Sequence, residues 1–135
     1  MNVFIVDLKD QPGELAKATE AIAHKGINIT AFAGVSCGDS GKIALLTNDD
    51  PGARRALSEA GYMAREVEVI PTTIANTPGS LAETARKLAD AGINVEVALP
   101  TGMSDGKVTL AFATDDPAKA RTILGSGQPV GVSSS

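Results

Sequence analysis

Two short loops have the composition to hold an anion. Asp10-Gln11-Pro12-Gly13 and Asn76-Thr77-Pro78-Gly79 each stand directly before a stretch with helical apolar spacing. The first N–H groups of a helix lack internal partners and carry the positive end of its dipole, so such a loop suits a carboxylate or another small anion. Glycine lets the bound group come close to the backbone. Asn28 and Asn94 each follow the loop proline by sixteen residues. Their amides can both donate and accept hydrogen bonds, whereas ionised Asp10 only accepts.

Other reactive chemistry is thin. The chain has one histidine, His24, and one cysteine, Cys37, and it contains no H-x-x-x-H, C-x-x-C, G-x-S-x-G or P-loop pattern. No base can be placed beside Cys37, so it reads as a small apolar strand residue. His24 reads as a surface group near a helix end. Asp49-Asp50 and Asp115-Asp116 precede prolines and read as helix caps, with Asp50 capping and Pro51 at the first helical position. The expectation is a protein that is not an enzyme and carries no cofactor or metal.

The elements around these residues occur twice. Residues 10–28 read DQPGELAKATEAIAHKGIN and residues 76–94 read NTPGSLAETARKLADAGIN, a spacing of 66. Gly41-Lys42 matches Gly106-Lys107 at 65, and Asp49-Asp50-Pro51 matches Asp115-Asp116-Pro117 at 66. The slip predicts a one-residue length change in the third strand or the turn after it. Within a copy, Val3–Leu8 alternates as a strand. Gly13–Lys25 reads as a helix with Pro12 at its opening and Leu15, Ala18, Ile22 and Ala23 as its apolar positions. Ile27–Cys37 and Lys42–Thr47 are strands around a Gly38–Gly41 turn, and a second helix carries Ala53, Ala56, Leu57 and Ala60 and stops at Gly61. The second copy repeats the plan, with Pro129–Val132 as a short last strand and Ser133–Ser135 as a loose tail.

Composition sets outer limits. A 43% hydrophobic share supports a core, and 3% aromatics means that core is aliphatic. The net charge of -4, without a basic cluster or stacking aromatics, argues against nucleic acid. Nothing approaches the ~20 apolar residues of a membrane span. The N-terminus lacks signal-peptide character, and the single cysteine fits a reduced cytoplasmic setting.

The pattern x-x-P-G-x-L, a helix and then G-I-N, present twice, resembles the ACT domain family over nearly the whole chain. It is especially similar to stand-alone tandem ACT proteins. The resemblance implies an α+β fold of two ferredoxin-like βαββαβ repeats, residues 1–66 and 67–135, with antiparallel sheets joined side by side and helices on one face. It implies a regulatory or sensing protein that binds a free amino acid between the repeats; the alternative is an interaction or assembly subunit of a metabolic enzyme that binds no ligand. It also implies the ligand residues: Asp10, Gln11, Pro12, Gly13 and Asn28 in the first copy, and Asn76, Thr77, Pro78, Gly79 and Asn94 in the second. The two contacts of a site come from opposite copies, Asp10 with Asn94 and Asn76 with Asn28. This arrangement joins Ile27–Cys37 to Ile93–Thr101. Serine-binding members carry a histidine two residues upstream of the Asp10 position, where this chain has Leu8 and Ile74. Apolar residues on both faces of several strands suggest a homodimer covering the helix-free sheet face, and a regulated metabolic enzyme is the expected further partner.

Overall fold

The computed structural model describes residues 1–125, so the expected strand Pro129–Val132 and the tail Ser133–Ser135 lie outside the described residues. The chain is α+β, with six strands and four helices among the described residues: β1 (Asn2–Lys9), α1 (Glu14–Ala23), β2 (Ile29–Cys37), β3 (Ser40–Thr47), α2 (Asp50–Glu59), β4 (Ala64–Ala75), α3 (Ser80–Asp90), β5 (Val95–Ser104), β6 (Lys107–Thr114) and α4 (Pro117–Leu124). It divides into two compact units, Met1–Val67 and a second beginning at Glu68. β4 closes the first unit with its opening residues and begins the second with the rest.

In the first unit β3 pairs antiparallel with β1 on one side and β2 on the other. Alternation puts Phe4, Val6, Ile43 and Leu45 on one face, where they pack with Ile22, Ala53, Ala56 and Leu57 of the two helices. In the second unit β6 pairs antiparallel with β4 and β5. Ile70, Ile74, Leu110 and Phe112 meet Leu88, Ala120 and Leu124 in the same way. Each unit is thus ferredoxin-like, with its helices on one sheet face.

Register identifies the inserted residue. Ala33 pairs with Ala44 and Leu99 with Ala111, so strands two and three of the copies are offset by 66 and 67. The change falls at Thr101, which bulges out of β5 between Pro100 and Gly102. The insertion therefore lies in the second strand of its copy, not in the third strand or its turn. From there the offset stays at 67: Thr47-Asn48-Asp49 matches Thr114-Asp115-Asp116 in every hydrogen bond. Thr47 and Thr114 accept from the N–H of Asp49 and Asp116, both at 3.2 Å. The caps follow suit. Asp49, not Asp50, caps α2 by accepting from Gly52 N–H at 3.0 Å, and Asp116 caps α4 through Lys119 N–H at 3.1 Å.

Three local expectations change. α1 starts at Glu14, so Pro12 precedes the cap, Gly13, rather than opening the helix. Leu15 is 51% exposed and lies outside the core. Reading Ile27–Cys37 as one regular strand puts Ile27, Ile29, Ala31, Ala33 and Val35 on one side, but a bulge between Ile29 and Ala31 turns Ala31, Ala33 and Val35 to the face opposite Ile29. On the helix-free faces Val3 and Ala111 are at 0% and Leu46 at 1%. That burial is complete within the single chain, so two-faced strands do not by themselves require a dimer.

Candidate functional site

The two Pro-Gly loops are built alike. Gly13 and Gly79 cap α1 and α3 in the left-handed region, at φ 90° and 87°, a conformation that favours glycine. Each loop is tied to the hairpin of its own unit. Asp10 N–H donates to Asp39 O at 3.4 Å, and Asn76 N–H donates to Gly106 O at 2.8 Å. The first helical N–H groups fold back, Glu14 onto Gln11 O and Ser80 onto Thr77 O, both at 3.3 Å. Neither helix has a side-chain cap among the described residues. The N–H groups of Leu15, Ala16, Leu81 and Ala82 are left without partners among the described residues, in the first turn where the dipole favours negative charge.

The loop side chains stand open. Asp10, Gln11, Pro12, Asn76, Thr77 and Pro78 are exposed. Thr77 Oγ1 lies 2.8 Å from Ser80 Oγ. Beside the first loop, a surface depression of about 410 Å³ is lined by Asp10, Gln11, Glu14, Leu15, Phe32 and Val35 among others. Sequence reasoning missed Leu15 and Phe32 here. Helical spacing assigned Leu15 to the core, and the β2 bulge moved Phe32 onto the helix side.

Asn28 and Asn94 are held by their backbones alone. Asn28 N–H donates to Asn48 Oδ1 at 3.0 Å, and its carbonyl accepts from Asn48 N–H at 3.1 Å. Asp115 does the same for Asn94, at 3.0 and 3.1 Å. Both asparagines are exposed, and among the described residues their side chains make no hydrogen bond.

Within one unit the loop and the asparagine do not meet. Asp10 follows Lys9, which pairs with Ser40; Asn28 stands beside Asn48 at the far end of β3. From Ser40 to Thr47, at roughly 3.4 Å per residue, is about 24 Å. The same layout separates Asn76 from Asn94. Among the described residues there is no cluster of three or more His, Cys, Asp or Glu that could hold a metal ion. No helix among them is long and apolar enough to cross a membrane.

No protein-family model and no curated protein sequence matches the chain. Solved structures do. A protein of Bacteroides thetaiotaomicron superposes with a TM-score of 0.78 at 21% identity, over 92% of this chain and 85% of that one. The regulatory subunit of aspartate kinase from Thermus thermophilus, in its ligand-free form, gives 0.67 at 21% identity, over 93% and 88%. The corresponding subunit from Thermus flavus gives 0.65 at 22% identity, over 93% and 88%. At such identities the likeness establishes a shared fold, the fold on which those regulatory subunits are built.

Proposed function

We propose that this chain is a non-catalytic regulatory module of the ACT type that binds a free amino acid at its Pro-Gly loops. The observation that carries the reading is the state of Asn28 and Asn94. In both copies the backbone is pinned by a neighbouring side chain while the amide itself makes no hydrogen bond among the described residues. A structural asparagine at a strand start would spend its amide on the fold. In each site the N–H groups opening the helix take the ligand carboxylate, and the Asn amide reads the remaining polar groups. Because loop and asparagine stand at opposite ends of a unit, the asparagine must come from another repeat.

The regulatory subunits of aspartate kinase that share this fold support a role in controlling a partner enzyme, here in the cytoplasm and as a homodimer. Fold likeness alone does not fix function, so the ligand is the point to test. A thermal-shift screen of the twenty free amino acids is expected to find one that stabilises the protein, by roughly 2.7 kcal/mol at 100 times its dissociation constant. Titration calorimetry then compares wild type with Asp10→Ala and Asn28→Ala. Loss of a charge-assisted hydrogen bond costs about 1.5–3 kcal/mol, or ten- to a hundredfold in affinity. A screen with no hit would discard the sensor reading and leave an assembly subunit that binds no ligand.

A further inference from the structure

Strand register allows the two repeats to be compared position by position beside their Pro-Gly loops. Gly34 pairs with Ile43 and Pro100 with Leu110, so Gly34 and Pro100 are equivalent. Phe32 pairs with Leu45 and Ala98 with Phe112, so Phe32 answers to Ala98. Leu8 pairs with Gly41 and Ile74 with Val108, so Gly41 answers to Val108. Alternation from the core residues Ile43, Leu45, Leu110 and Phe112 puts all of these positions on the helix side of the strands.

In the second repeat this ground is filled. Ile74 is 4% exposed, and Val108 packs against the same core. In the first repeat glycine stands at both filling positions. Leu8 is only half-buried, although it packs on its core as Ile74 does. Leu15, 51% exposed, and Phe32, 65% exposed, add apolar walls. The result is the depression of about 410 Å³ beside the first loop, lined on the sheet by Leu8, Gly34, Gly41 and Ile43. That volume lies within the range of about 300–1,000 Å³ usual for small-molecule sites. A Cβ built on Gly34 would meet only Lys42 O, at 3.8 Å, so the fold itself does not require glycine there. At the loop end Asp10 and Glu14 bring carboxylates where the second repeat has Asn76 and Ser80. Lys9 and Lys42 also line the depression, Lys42 in an ion pair with Asp7.

We propose that the first repeat takes a free amino acid with a bulky apolar side chain, which lies in this depression over Gly34, and that Gly34 sets the specificity. A zwitterion with an apolar tail matches a site whose charged groups stand at the loop and whose apolar groups lie on the sheet. Covering Leu8, Leu15 and Phe32 takes apolar surface out of water, which favours a larger side chain by about fourfold per buried methylene. In the second repeat Pro100 and Val108 stand at the equivalent positions and exclude the same side chain. The inference rests on the reading that the Pro-Gly loops hold an amino acid; it adds the class of amino acid and the seat of its side chain.

The thermal-shift screen tests the class. The largest shift is expected from leucine, isoleucine, methionine or phenylalanine, and little from glycine, alanine or serine. Titration calorimetry with the best ligand then tests the seat. Gly34→Val places a β-branched residue in a strand, so the protein is expected to keep its circular dichroism and its unliganded melting temperature. Its affinity for the bulky ligand is expected to fall about tenfold or more, because the added side chain fills the space. The loss is selective, so the preference for the bulky ligand over alanine should collapse. Hits confined to small or charged amino acids would overturn the apolar class while the sensor reading stood. Unchanged affinity in Gly34→Val, or an equal loss for the bulky ligand and alanine, would overturn the role of Gly34. Should Gly34→Val fail to fold, Phe32→Ala decides, since it removes exposed bulk and cannot overpack. It is expected to weaken the bulky ligand about threefold or more, and unchanged affinity would overturn the seat. A screen with no hit would remove this inference together with the sensor reading.

Discussion

Thr72 sits on the core side of β4 opposite Leu110, fully buried, with no partner for its hydroxyl among the described residues. Its counterpart in the first repeat is Val6, which has the same shape without the oxygen. A buried hydroxyl without a hydrogen bond costs on the order of 1–3 kcal/mol, so Thr72→Val is expected to stabilise the protein by about 1 kcal/mol or more. The urea midpoint should rise with an unchanged slope; a fall would mean the hydroxyl has a partner. Glu66 presents the opposite case. Its carboxyl is held down to about 2, first by hydrogen bonds from Arg54, both 2.7 Å, then by Asn2 at 2.6 Å, against the upward push of partial burial. A depressed carboxyl contributes stability above its unfolded value of about 4.5 and loses it as the pH falls through about 2. Wild type should therefore outlast Glu66→Gln at neutral pH, with the gap between melting temperatures closing from pH 4.5 to 2. A gap independent of pH would assign the difference to packing.

The sharpest constraint within a single element is at the start of α2. A Cβ built on Gly52 would lie 2.3 Å from Asp49 Oδ2 and 2.8 Å from Ile27 Cδ1. The equivalent position in α4 is Lys119, whose N–H makes the same cap hydrogen bond to Asp116. Gly52→Ala should therefore destabilise the protein by about 1–3 kcal/mol, although alanine is the better helix former by about 1 kcal/mol. Chemical denaturation checks the sign. Asp49→Ala and Asp116→Ala should each cost about 1 kcal/mol, and Asp50→Ala less, because the cap is Asp49. Equal losses at Asp49 and Asp50 would contradict this cap assignment.

Across the whole molecule, two units of one plan carry separate cores and different outer edges. Amide exchange reports both features. The interior strands β3 and β6 should be slowest, since each has a strand on either side. The outer strands β2 and β5, each hydrogen-bonded on one side among the described residues, should exchange faster. Protection in β2 or β5 equal to that in β3 and β6 would contradict this order.

What the sequence by itself determined was the plan: two copies, the order of elements and the glycines at the loops. These follow from local chemistry, because a left-handed cap favours glycine and alternation of period two or 3.6 marks which face is buried. Only the tertiary structure decided the rest. The third strand's offset became 67 because hydrogen-bond register, not residue identity, fixes which positions are equivalent, and the bulge at Thr101 absorbs the extra residue. Pairing with Leu45, after the bulge near Thr30, put Phe32 on the helix side, a shift no alternation pattern records. Leu15 left the core because helical spacing names a stripe, while the packed sheet covers only the part of it around Ala18 and Ile22. The separation of each Pro-Gly loop from the asparagine of its own copy is likewise tertiary. Sixteen residues apart in the chain, they stand about 24 Å apart because a helix runs between them along the length of the sheet.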